Sequence, residues 1–351
     1  MCCTLAIAFG ADASLKAGKA ELKSAGPLAF GPNGILFVGD SAAASVVALD
    51  TTDTKASKSA GNLEVKGINQ KIAALLGTAP DQIRIEDVAV NPVSKQIYIS
   101  VSRGLGPDAA PMILRVDAAG KISELSLDNI KHAKVSLTDA PGADAKDRRG
   151  ESLRTQSITD LAFVGGNVIV AGLSNEEFAS SLRSIPYPFR QADKGAGIEI
   201  FHGAHGRFET NAPVRTFVPF EVDNQPHILA AYTCTPLVKI PVSELKPGNK
   251  VKGTTIAELG NRNRPLDMIV YRKDGKDFIL MANSSRGVMK LPAAKLESYQ
   301  PITAQTDKQG VPYETIASFK GVQQLDKLDD ANAVMLIDDG GSLDLKAVPL
   351  P

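Results

Sequence analysis

Residues 228–245, ILAAYTCTPLVKIPVSEL, and residues 279–296, ILMANSSRGVMKLPAAKL, align without a gap at a spacing of 51, with six identities in eighteen positions. Internal repetition at this period constrains a fold more than any local propensity, because each unit must bury its apolar faces on its neighbours. Four further copies of the run follow from that template: ILFVGDS from Ile35, IYISVSRG from Ile97, VIVAGLSNEE from Val168 and VMLIDDGG from Val334. Each follows another apolar strand and a turn of residues that favour reversal, namely GPNG, NPVSKQ, VGGN, DNQP, RKDGKD and DDAN.

A strand, tight turn, strand, polar loop, strand unit repeated six times predicts an all-β fold, a six-bladed β-propeller in one domain over residues 14–351. Third strands are expected at SVVALD, MILRVD, GIEIF, LVKIP, VMKLP and SLDLK. The sixth unit stops after its third strand, so the ring is expected to be closed by an N-terminal strand, with Lys19–Lys23 as outer strand of the last blade. Closure removes the open edge that would recruit another chain. One short helix, from Ile68 to Leu76 with Gly77 to stop it, is expected to pack between blades 1 and 2. Residues 126–156 are expected to form the longest irregular segment.

Lys+Arg and Asp+Glu are both 39, which leaves no electrostatic footprint for nucleic acid or an anionic membrane. No apolar run is long enough to span a bilayer, so an integral membrane protein is not expected. The first thirteen residues, MCCTLAIAFGADA, pair an apolar stretch with Ala11-Asp12-Ala13, a small-x-small cleavage pattern, although a positive n-region is missing. They read as a truncated signal peptide, or else as a frayed apolar N-terminus. The first reading places the protein in the periplasm or outside the cell and leaves Cys234 as its one cysteine, unable to form an internal disulfide.

In a propeller the first strands start, and the second strands end, on one face of the disc. That geometry predicts a ligand site at the channel mouth from Arg103, Asn175, Glu176, Arg183, Tyr232, Cys234, Asn283 and Arg286. Turn preference accounts for the Asn and Ser positions but not for the arginines, whose guanidinium forks suit a small anionic ligand. Alignment of the first strands GPLAF, EDVAV, TDLAF, PFEV, LDMIV and LDKLD places Asp87, Asp160, Asp267 and Asp326 at one level, with Pro27 and Pro219 in blades 1 and 4, which are expected to face each other. Four converging carboxylates need relief, by a Ca²⁺-like divalent cation, by pairing with Arg103, Arg264 or Arg286, or by raised pKa values. Alternatively each Asp caps its own turn and points away from the axis.

The sequence has no C-x-x-C-H, no paired C-x-x-C, no P-loop, no G-x-S-x-G elbow and no Trp, so no haem, NAD or PQQ is expected. His202-Gly-Ala-His205 is expected to be a solvated turn of an outer hairpin rather than a metal site.

The first blade, GPLAFGPNGILFVGDSAAASVVALD at 26–50, resembles blades of the NHL-repeat and SMP-30/gluconolactonase-like six-bladed propellers. The lactonases open their first blade with Glu-Gly-Pro, whose Glu binds the catalytic divalent metal. Here that triplet is Ala25-Gly26-Pro27, with no side-chain oxygen at the matching position. NHL-type propellers are mostly binding modules. The resemblance therefore implies a binding module; with the signal-like segment and the mouth arginines, the expectation is an exported ligand-binding or protein-interaction propeller, its partner a small anionic ligand or another exported protein. The alternatives are a metal-dependent hydrolase or lactonase, and an accessory subunit of an exported redox complex.

Overall fold

A computed structural model describes residues 14–59 and 61–351; the candidate signal segment at 1–13 lies outside the described residues. Six sheets, antiparallel except for one parallel pair between Ala196–His202 and Lys250–Lys252, surround a central channel, and blades are numbered in chain order. Their first strands are Leu28–Phe30, Ile83–Val90, Asp160–Val164, Thr216–Val222, Pro265–Lys273 and Val322–Lys327. Second strands are pressed between both neighbouring blades, which is why they read as continuous apolar runs: all of Ile35–Asp40 is buried, as are the last six residues of Asn167–Leu173. The hairpin between the first two strands turns on Asp223-Asn224 in blade 4 and Asp274-Gly275 in blade 5, each pair at positive φ, the geometry that matches strand twist.

The order of blades around the ring is 1, 3, 4, 5, 6, 2. Six apolar cores fill the joints 1/3, 3/4, 4/5, 5/6, 6/2 and 2/1. Blade 2 thus sits between blades 6 and 1, and blades 1 and 4 do not face each other; blade 3 separates them. The chain leaves blade 1 along blade 2, where Asp53 accepts from Ser94 Oγ (2.5 Å), Gln96 Nε2 (3.1 Å) and Tyr98 Oη (3.1 Å). It then closes blade 6 with Glu64–Val65, whose register is Val65 opposite Leu345 and Glu64 opposite Lys346. After blade 2 it returns to give blade 1 its outer strand, Ile130–Ser136.

This path corrects four expectations. Lys19–Lys23 does not close the last blade: Lys16–Gly18 pairs with Ile130–His132, and Ala20 N–H donates to the Leu127 carbonyl at 2.8 Å, both beside blade 1. An early strand does close the last blade, but it is Glu64–Val65, because the chain runs from blade 1 past blade 6 before it builds blade 2. The helix Ile68–Leu76, between blades 1 and 2 in sequence, packs between blades 2 and 6 in space. Asn69 fastens it there through the Gly341 carbonyl (3.0 Å) and the Leu343 N–H (3.0 Å). Residues 126–156 contain a strand, and GIEIF belongs to the fourth strand of blade 3, Ala196–His202, the third being Ser180–Pro186. Among the described residues no helix is long and apolar enough to cross a membrane.

Candidate functional site

The first strands enclose a cavity of about 350 Å³ lined by Asp87, Asp160, Asp267 and Asp326 among others. Each carboxylate takes the N–H of the residue that follows it with one oxygen: Val88 (2.8 Å), Leu161 (2.7 Å), Met268 (2.8 Å) and Lys327 (2.6 Å). The other oxygen crosses a joint. Asp87 of blade 2 holds Leu28 N–H of blade 1 (2.7 Å), Asp160 of blade 3 holds Phe217 of blade 4 (2.7 Å), Asp267 of blade 5 holds Leu325 of blade 6 (2.8 Å), and Asp326 of blade 6 holds Val90 of blade 2 (2.7 Å). All four reach in the same sense around the ring. The carboxylates therefore clasp blades together, a role between the two expected ones: they line the channel, and they bond to backbone on both sides.

Bulges aim two of them. The pairing register shifts immediately before Asp87, which faces Ser100, and before Asp267, which faces Ala282. The same rung in blade 4 is Thr216, opposite Ala231, not Pro219; in blade 6 it is Gln324, opposite Leu336, so Asp326 stands two residues further along. None of the four forms an ion pair with Arg103, Arg264 or Arg286; among the described residues their partners are backbone N–H groups, joined at Asp160 by the Thr216 hydroxyl. Nor do their oxygens belong to a group that gathers to within 4.8 Å, the span in which one ion can be held. Crowding and burial act on protonation: burial pushes Asp160 up to about 7 and Asp326 up to about 6, and burial with the neighbouring carboxylates raises Asp87 and Asp267 as well.

The eight residues expected at the mouth divide. Arg103, Asn175 and Glu176 are exposed there, Glu176 facing Lys194 Nζ at 3.4 Å. Arg183 is a correction: it is 1% exposed, its Nε donates to Asp139 Oδ1 at 2.7 Å, and its terminal nitrogens donate to the Ser157 (3.2 Å) and Leu173 (2.9 Å) carbonyls. Asp139 also accepts Gly195 N–H (2.9 Å), so this arginine is closed off from any ligand. Tyr232 is likewise buried in the core between blades 3 and 4. Asn283 is buried and shapes its turn by accepting the N–H groups of Ser285 (3.1 Å) and Arg286 (3.2 Å). Arg286 is half-buried, donates to the Asn261 carbonyl (2.9 Å) and lies over Gly260, where φ is +109° and a Cβ would fall 2.3 Å from its Nη2.

Sequence reading missed Arg215 and Arg262, and offered Arg264 only as a counter-charge for the channel aspartates. Arg215 precedes the first strand of blade 4, and Arg262 and Arg264 precede that of blade 5, so all share the mouth face at the 4/5 joint. Hydrogen bonds zip this loop to the next turn: Arg264 N–H to Ser284 Oγ (2.9 Å), Ser284 N–H to the Arg264 carbonyl (2.9 Å) and Ser285 Oγ to the Arg262 carbonyl (3.3 Å). Arg215 is half-buried, with Nε on Thr233 Oγ1 (3.1 Å), and burial together with the Arg264 guanidinium beside it lowers its pKa. Among the described residues none of the four has a carboxylate partner. The missed signal was their placement just ahead of first strands.

Cys234 lies half-buried in the turn between second and third strands of blade 4, as a free thiol. The expected solvated histidine turn is a second correction. His202 is 2% exposed, and a ring nitrogen of each of His202 and His205 lies with Cys234 Sγ inside 4.8 Å. The topology brings the end of blade 3's fourth strand against blade 4, a contact that sequence spacing does not reveal.

No protein-family model matches the chain, and no curated protein matches it. Solved structures match along nearly its whole length. They include Drosophila Plexin A in complex with Semaphorin 1b, at 8% identity and TM-score 0.43 over 97% of this chain and 88% of that one. Streptogramin B lyase matches at 8% identity and TM-score 0.41, over 96% and 97%. The PQQ-bound aldose sugar dehydrogenase of Streptomyces coelicolor matches at 11% and 0.31, over 95% and 97%. Likeness at these values is one of chain path and says nothing of the site.

Proposed function

We propose that the protein is an exported ligand-binding propeller that takes an anionic group, a carboxylate or phosphate, on Arg215, Arg264 and Arg286 at the mouth of the 4/5 joint. Export rests on the pattern of residues 1–13. The observation that carries the ligand class is the approach of Arg215, half-buried, to Arg264 with no carboxylate to compensate either. Like charges held together at a partly desolvated site cost free energy until an anion relieves them. Guanidinium forks on a loop fixed by three hydrogen bonds are pre-organised for bidentate capture.

Thermal melts in citrate, inorganic phosphate and chloride at matched ionic strength test this. Anion saturation at 100 times Kd corresponds to about 2.7 kcal/mol of stabilisation. Citrate or phosphate is expected to raise Tm over chloride in the wild type but not in an Arg215→Ala/Arg264→Ala double variant. Equal melts in all three salts, or a rise that survives in the double variant, would remove the reading.

A further inference from the structure

We infer that His202, His205 and Cys234 form a transition-metal site at the 3/4 joint, with Glu209 as the carboxylate that orients both imidazoles. His202 ends the fourth strand of blade 3, a single 3-10 turn Gly203–His205 follows, and Arg207–Glu209 folds back antiparallel with Glu209 opposite Ile200. That hairpin stacks the two rings with centroids 3.8 Å apart and planes at 37°. It also sets one carboxylate behind both: His202 Nδ1 meets Glu209 Oε2 at 2.8 Å, and His205 Nδ1 meets Oε1 at 2.7 Å.

With both Nδ1 atoms donating to Glu209, the Nε2 atoms carry the free lone pairs. This is the carboxylate–histidine arrangement that fixes tautomer and ring orientation in metal sites. His202 Nε2 is buried without a hydrogen-bond partner among the described residues, on a side chain only 3% exposed. A buried ring nitrogen left without a partner costs free energy, and a metal ion bound there would satisfy it. Cys234 brings the third ligand from blade 4, in a turn where Cys234 (φ 63°) and Thr235 (φ 50°) both take left-handed backbone. Cys234 N–H donates to the Asn263 carbonyl at 2.8 Å and Thr235 Oγ1 to the Gly260 carbonyl at 3.0 Å, which hold the turn in place.

Two imidazoles and a thiolate suit a borderline or soft ion, Zn²⁺ or copper, rather than Ca²⁺ or Mg²⁺. Three protein ligands leave a fourth position for water or an exogenous group. Binding deprotonates the thiol, one proton leaving to solvent for each ion bound.

The experiment uses the whole folded chain, stripped of metal and titrated separately with Co²⁺, Zn²⁺ and Cu²⁺. One equivalent of Co²⁺ is expected to give a thiolate-to-metal charge-transfer band, displaced by Zn²⁺. An intense visible thiolate-to-copper band on Cu²⁺ addition, with copper displacing Zn²⁺, identifies copper as the preferred ion, and Zn²⁺ retention identifies zinc. Cys234→Ser is expected to abolish the band. His205→Ala, at the exposed end of the pair, is expected to weaken binding without unfolding the joint, and Glu209→Gln to weaken it 10–100-fold. No stoichiometric binding, Co²⁺ spectra without a thiolate band, or equal affinity in wild type and Cys234→Ser would overturn the site.

Discussion

Arg183 and Arg215 stand in adjacent blades and have opposite fates. Arg183 is enclosed, and Asp139 meets it at 2.7 Å with both side chains at 2% exposure or less. Arg215 is half-buried beside another guanidinium, with no carboxylate. Neither difference is local. Asp139 arrives from the segment that has just supplied blade 1's outer strand, and it bonds to Arg183 only because blade 3 follows blade 1 around the ring. An arginine in a propeller is structural where the topology brings it a counter-charge, and available to a ligand where it does not.

The sharpest way to break that comparison is to remove the counter-charge. Asp139→Ala leaves an uncompensated buried guanidinium and is expected to cost about 3–5 kcal/mol in urea unfolding. The double variant Asp139→Leu/Arg183→Met, which removes both charges, is expected to recover most of the loss. A single variant as stable as wild type would mean that water reaches Arg183.

A second comparison sets joints with a carboxylate clasp against joints without one. Asp267→Ala strips the acceptor from Leu325 and Met268 N–H at the 5/6 joint and is expected to cost about 1–3 kcal/mol, the range for buried donors left without a partner. Thr216→Ala, on the same rung of blade 4, strips no backbone N–H of its acceptor and removes only a buried hydroxyl that lies against the Asp160 carboxylate, so it is expected to cost about 1 kcal/mol or less. Equal losses would show that the rung matters for packing rather than for clasping.

How much of this was legible in the chain depends on the range of the interactions. The six blades and the helix were legible because apolar periodicity and turn residues are local. Ring order was not, because repeats look alike wherever they sit, and the two-residue strand Glu64–Val65 is too short to carry a pattern. The aspartates were legible as a set from the ED, TD and LD pairs ahead of apolar runs. Their rungs were not, because bulges before Asp87 and Asp267 shift register by one and Asp326 sits two residues beyond Gln324. The burial of Arg183 and the meeting of His202 with Cys234 depend on which blades are neighbours, and local pattern contains no such term.

The clasps also carry a pH signature. Burial raises Asp160 from 3.8 to about 7 and Asp326 from 3.8 to about 6, so the folded state binds more protons than the unfolded chain between those values. For these groups stability is fully present below about pH 4 and is lost as pH rises through 6 to 7. A fall in Tm of a few degrees from pH 5 to pH 8 is expected, with a shallower slope in Asp160→Asn. Added Ca²⁺ at pH 8 separates the two forms of relief: no change fits protons as the relief of crowding, and a saturable rise restores the cation reading of the channel.

The smallest expected effect lies at the other end of the first comparison. Arg264→Ala removes an exposed charge that acts on the like-charged Arg215, so it is expected to leave stability unchanged or to raise it by about 0.5 kcal/mol in low salt. The backbone bonds from residue 264 to Ser284 persist, since both use main-chain groups of residue 264. The gain should shrink as salt rises, because screening already separates the two guanidiniums. It should also vanish in saturating phosphate, where the wild type has its anion and the variant has lost one of its three guanidiniums. A loss of about 1 kcal/mol or more in low salt would instead assign Arg264 a stabilising contact, like that of Arg183, and would remove the contrast between the two blades.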